Sequence, residues 1–127
     1  MGFCMQEERL SFITLRLLGP HLVDACVDEG VEFDERKLEE LRAGFLRLVG
    51  DQPFAVLVQK TNSYTYNFAA QRAGFNIPGL KAVAYFAPGA PQRLAVNSLL
   101  AVSQVRERLP VEVFEDRDKA LRWLQDQ

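Results

Sequence analysis

Five apolar residues in a row, Phe54-Ala55-Val56-Leu57-Val58, stand between Pro53 and a polar stretch, Gln59-Lys60-Thr61-Asn62-Ser63. No polar residue alternates with them, so a strand with one wet face is excluded. The run is too short for a helix and fits a strand covered on both faces, as in the interior of a parallel sheet. Such a strand demands layers above and below it. Its hydroxyl-rich continuation leaves from the carboxyl edge, where open α/β sheets build their sites.

The flanking sequence supplies those layers. Leu10 to Leu15 alternate as a strand, Gly19-Pro20 breaks the chain, and His21–Val27 reads as a second strand with Val23, Ala25 and Val27 on one face. So short a connection makes the pair antiparallel. Asp34 is an N-cap for a helix with Leu38, Leu41, Phe45 and Leu48 on one side; Phe33 and Leu38 have staple spacing, and Gly50 closes it. A second helix is predicted from between Asn62 and Thr65 to Gly74. Lys81–Ala87 is the fourth strand, Pro91 opens a helix to about Arg108, Val111–Glu115 is the last strand, and Asp116 caps a terminal helix with Ala120, Leu121, Trp123 and Leu124. The result is a single-domain α/β sandwich: a five-stranded mixed sheet, in the order β-β-α-β-α-β-α-β-α, with four helices. Residues 1–8 read as an N-terminal extension and 9–127 as the domain.

Composition narrows the function classes. A net charge of −2 argues against a general nucleic-acid binder. No run of 18 apolar residues exists, so no transmembrane segment is expected. Cys4 and Cys26 are too few and too far apart for a metal site, and read as reduced thiols of a cytoplasmic protein. His21, the single histidine, follows Gly19-Pro20 in a turn with no carboxylate or cysteine at ligand spacing. A phosphate-binding glycine loop, a nucleophile elbow and a zinc-protease motif are all missing. No enzyme, no cofactor and no metal are therefore expected.

Three passages carry a family resemblance: EFDERKLEELRAGFLRLVG, PFAVLVQ with its hydroxyl-rich turn, and VEVFEDRDKALRWLQ. Their order and size resemble the STAS domain, the fold of the sporulation anti-sigma-factor antagonists, and more closely its bacterial STAS-like branch of unknown function. The resemblance implies a protein partner met through the turn after the buried strand, with a serine there as phospho-acceptor. Ser63 is the nearest counterpart, and Thr65 or Thr61 could substitute. Gln59-Lys60 stands where the antagonists carry an acidic residue, and no glycine follows the hydroxyl.

The residues themselves allow further roles. A hydroxyl at a helix start caps it, and a phosphate there would meet unpaired amides. Lys60 and Arg72 are candidate anion contacts. Tyr64, Tyr66, Phe68 and Phe86, with Phe75 and Tyr85, form an aromatic group expected to converge at one sheet edge, as core, partner surface or pocket for a small apolar ligand. Asp24, Cys26 and Asp28 alternate on the second strand, with the acids assigned to its solvent face. The leading expectation is a non-catalytic interaction or regulatory module working through residues 60–68; the alternative is a small-molecule or lipid-like ligand carrier. An exposed hairpin edge leaves a homodimer open.

Overall fold

The computed structural model describes residues 6–60, 64–67, 77–103 and 107–127, without the side chains of Tyr66, Val102 and Ser103. Along them run strands β1 (Glu7–Arg9), β2 (Ile13–Gly19), β3 (Leu22–Val27) and β4 (Val31–Phe33), helix α1 (Glu35–Val49), strands β5 (Phe54–Gln59), β6 (Tyr64–Tyr66) and β7 (Leu80–Phe86), helix α2 (Ala90–Ser103), strand β8 (Val111–Phe114) and helix α3 (Arg117–Gln125). Six strands form one mixed sheet in the order β1-β2-β3-β5-β7-β8, and β4 pairs with β6 in a second ladder. The first two pairings are antiparallel and the next three parallel.

Strand β5 lies in the interior, between β3 and β7, and its residues Phe54 to Val58 are all buried. Period-2 alternation sorts its side chains. Phe54, Val56 and Val58 join Val23, Ala25, Val27, Val83, Tyr85 and Val111 in the larger core, under Leu38, Leu41, Phe45 and Leu48 of α1 and Val96 and Leu100 of α2. Ala55 and Leu57 point the other way, with Ala82 and Ala84, toward Ala120 and Leu124 of α3. Helices thus cover both faces. Parallel strands laid down in chain order put successive crossover helices on one face, as α1 and α2 are, and α3 closes the other.

Local chemistry explains the helix positions. The Asp34 carboxylate accepts the Lys37 amide at 2.8 Å, which lowers its pKa, and Phe33 and Leu38 are both buried beside the cap. Asp116 accepts the amides of Asp118 and Lys119 in the same way. Gly44 lets α1 approach the hairpin closely: a Cβ there would stand 3.1 Å from Leu10 Cδ1 and 3.2 Å from Leu15 Cδ1.

Several expectations are corrected. The sheet has six strands, because Glu7–Arg9, which begins within the expected extension 1–8, pairs with β2. Glu-Glu-Arg carries no apolar alternation to announce a strand. Tyr64–Tyr66, where the second helix was predicted to begin, is a strand: aromatic and β-branched residues suit an extended ladder, and Val31, Glu32 and Phe33 pair with them. Three helices stand among the described residues instead of four, and 68–76 lie outside them. Asp24 is only 4% exposed although α3 leaves its part of the face open, because the Gln59 side chain packs over it. Tyr85 and Phe86 cannot converge, since neighbours on a strand point oppositely and pack into different cores.

Candidate functional site at the carboxyl edge

Strands β3 and β5 run parallel, and beyond their carboxyl ends their continuations pair again as the β4–β6 ladder. This second ladder, not a reversal of strand order, is what builds a wall at the edge. Alternation within it sets Tyr64 inward and Thr65 outward. The Tyr64 ring meets Phe33 edge-on at 5.7 Å, and Phe33 meets Phe12 at 5.4 Å, so the ladder is anchored in the main core.

Lys60 occupies the gap between the two ladders. Its amide donates to the Phe86 carbonyl at 2.8 Å, continuing the sheet by one bond. Lys60 is 6% exposed, an unusual degree of burial for lysine. The ammonium donates to the Tyr64 carbonyl at 3.4 Å and lies 3.6 Å from the centre of the Tyr64 ring. Burial lowers the Lys60 pKa below the usual lysine value, and the nearby Glu29 carboxylate partly offsets it.

Across from this ladder, Pro88-Gly89 ends β7 and α2 begins at Ala90. The Arg93 guanidinium donates to the Ala87 and Pro88 carbonyls at 3.1 and 2.9 Å and reaches Glu115 at 3.7 Å, fixing the helix start against the strand ends. Between the two walls lies a cleft of about 320 Å³ lined by Gly30, Val31, Lys60, Tyr64, Thr65, Pro91, Gln92 and Ala95. The Gln92 Oε1 atom is buried and accepts no hydrogen bond among the described residues.

Of the residues singled out from sequence, Lys60, Tyr64 and Thr65 therefore come together. Tyr66 follows in β6, its side chain outside the described residues, as are Thr61, Ser63, Phe68 and Arg72 in full. Phe86 packs into the opposite core from Tyr64. His21 is exposed in the β2–β3 turn, beside Lys81 and Leu124 at the other end of the sheet. Gly30, Val31 and Gln92 went unnoticed in the sequence. The signal for Gln92 was present: Pro88–Gln92 is a second strand-to-helix junction, beside the one after β5.

A separate polar cluster occupies the sheet face that α3 leaves open. Asp24 accepts the Gln59 amide at 2.8 and 2.9 Å, while exposed pairs Arg9–Asp28 and Arg16–Glu7 bridge neighbouring strands. Burial first, then Asp24 and Asp28, raises the Cys26 pKa, so this thiol is a poor nucleophile. Among the described residues no group of three His, Cys, Asp or Glu side chains is arranged to hold a metal ion, and no helix is long and apolar enough to cross a membrane.

Together these features define an α/β domain with a mixed sheet and a cation-floored cleft at its carboxyl edge. Residues 22–127 match the domain of unknown function DUF7793, and the chain belongs to that family. The matched span starts with β3 and contains every residue lining the cleft, whereas β1 and β2 precede it. No curated protein and no solved structure matches the chain.

Proposed function

We propose that this protein is a STAS-like, non-catalytic interaction or regulatory module that meets a protein partner through residues 60–68 and the adjoining cleft. The observation that carries the reading is the exposed Thr65 beside the buried Lys60 in one cleft. A phosphate on that hydroxyl would add about two negative charges next to a cation and the start of α2, changing the surface a partner meets. Among the described residues the cleft lining holds no carboxylate, imidazole or thiol, which favours the non-catalytic reading.

The alternative, an aromatic-lined pocket for a lipid-like ligand, draws less support. Tyr64 and Phe86 belong to opposite cores, and the hollow beneath α1, between Phe33, Phe45 and Val83, measures about 40 Å³. That is room for a few waters, not for an acyl chain.

Affinity capture from an extract of the native host tests the proposal, with wild type, Thr65→Ala and Thr65→Asp as baits. The expected result is one specific protein retained by wild type and Thr65→Ala and reduced at least tenfold by Thr65→Asp. Equal recovery on all three baits would overturn the assignment of this surface.

A further inference from the structure

We propose that residues 6–9 form an electrostatic strap along the border of the sheet, which lifts off β2 as a unit while the rest of the domain stays folded and is released by ionic strength. Strand β1 stands at the end of the sheet, paired with β2. The segment Gln6-Glu7-Glu8-Arg9 brings no apolar side chain, so the burial of hydrocarbon that holds the interior strands does little here. Charge takes its place. The Arg9 guanidinium forks onto both Asp28 carboxylate oxygens, at 2.9 and 2.5 Å, and donates to the Thr14 hydroxyl at 3.0 Å. Arg16 of β2 reaches Glu7 at 3.4 Å, and Arg47 of α1 donates to Glu8. The strap is thus tied to β2, to α1 and to the residue after β3. The hydrogen bond from Arg9 holds the Asp28 carboxyl below its ordinary value. All three ion pairs are open to water, where salt screens them and each contributes little.

Release stops at Leu10. Leu10 and Phe12 are buried in the larger core, the Leu10 amide donates to the Ile13 carbonyl at 2.9 Å, and the Leu10 side chain packs against Gly44 of α1. Beneath the strap, Glu8 stands opposite Leu15, and directly opposed residues of an antiparallel pair share a face. Leu15 is fully buried and also lies against Gly44, with Arg47 three positions further along the same side of the helix. The Glu8–Arg47 pair therefore closes the seam between helix and sheet beside Leu15. The Leu17 amide donates to the Gln6 carbonyl at 2.9 Å, and antiparallel alternation gives the Leu15 amide the same kind of bond to Glu8. Lifting the strap frees both amides and turns β2 into an unpaired edge, the state in which a strand accepts another chain. The matched family span begins at β3, so the strap belongs to the part of this chain outside it.

The test is amide hydrogen exchange of the purified chain, followed by NMR in potassium chloride at ~0.01 M and ~1 M, between which the Debye length falls from roughly 30 Å to roughly 3 Å. Leu15 and Leu17 report the strap, and Val56 and Leu57, buried in mid-sheet, report global unfolding. In low salt Leu15 and Leu17 should exchange about a hundredfold faster than Val56 and Leu57, once intrinsic rates are divided out. High salt should speed Leu15 and Leu17 roughly fivefold or more and leave Val56 and Leu57 no faster. Glu8→Gln should raise the Leu15 and Leu17 rates in low salt and flatten their salt dependence. Equal protection of β2 and β5, rates at Leu15 and Leu17 that ignore salt, or a Glu8→Gln variant indistinguishable from wild type would overturn the strap. The wild-type salt series decides the matter alone if the variant does not fold. These measurements need no partner and change no residue of the cleft, so they succeed or fail separately from the capture experiment.

Discussion

The ammonium of Lys60 lies 3.6 Å from the centre of the Tyr64 ring and 3.4 Å from that residue's carbonyl oxygen. One residue thus supplies both a π face and a carbonyl to a cation with almost no contact with water. Cation–π contacts strengthen when desolvated, but here the cost of burial still dominates, because the Lys60 pKa is lowered overall.

A titration prediction follows from that balance. Lys60 should lose its proton below the ordinary lysine value of 10.5, and Glu29→Gln should lower its pKa further by removing the carboxylate that raises it. The folded protein releases this proton before the unfolded chain does, so stability should rise with pH from the lowered pKa up to about 10.5. Lys60→Met should lose that rise and be at least as stable as wild type at neutral pH. Side-chain NMR of the lysine ε position and urea unfolding at several pH values check both statements; a Lys60 titrating at or above 10.5 would refute them.

Tyr64 separates packing from electrostatics. Its ring packs edge-on against Phe33, so Tyr64→Ala should cost about 3 kcal/mol, the usual loss for truncating a buried aromatic. Tyr64→Phe keeps the ring for both Phe33 and Lys60 and should retain most of the stability. Urea denaturation of the two variants decides it. Equal losses would mean that the hydroxyl, not the ring, carries the contribution.

The contrast between β5 and β6 shows what the sequence could reveal. Phe54–Val58 announced a covered strand because burial on both faces leaves an unbroken apolar run, and Asp34, Gly50 and Asp116 announced helix ends through capping chemistry. Each signal is local, and each element formed where it pointed. Tyr64-Thr65-Tyr66 is only three residues long, and its partner Val31–Phe33 lies some thirty positions away. Nothing within the segment reveals that pairing. The same holds for the cleft: Lys60 and Thr65 were picked out by position, but Gln92 joins them only through the third dimension. Asp24 is buried on an otherwise open face because Gln59 of the neighbouring strand lies against it, and alternation identifies which face a residue shares, not what a neighbouring strand lays over it.

That buried carboxylate yields the next prediction. Asp24 is 4% exposed, and its two carboxylate oxygens accept from the Gln59 side-chain amide at 2.8 and 2.9 Å. Gln59→Leu removes the donor and leaves the carboxylate behind, a change expected to cost about 1–3 kcal/mol or more. Replacing both residues by leucine should recover much of the loss, since an apolar pair has no unmet hydrogen bond. A double-variant cycle in urea checks this; strictly additive losses would show that the two side chains are not coupled.

The last prediction separates the scaffold from the cleft. Gly79 has φ of +84°, and a Cβ there would stand 3.0 Å from the Gln52 carbonyl oxygen. Its own carbonyl accepts the Phe54 amide at 2.9 Å, so this turn fixes where β5 begins. Gly79→Ala therefore meets two penalties, left-handed backbone strain of about 1–2 kcal/mol and contact with rigid backbone. A loss of at least about 2 kcal/mol is expected in urea unfolding. Gly79 adjoins the start of β7, however, while the cleft lies beyond the carboxyl end of the sheet, roughly 20 Å away at about 3.3 Å per residue. While the variant stays folded, the amide chemical shifts of the residues lining the cleft should match those of wild type. A loss of stability accompanied by shifts at the cleft would mean that strain at the amino end reaches it, and that the two edges of this sheet do not act independently.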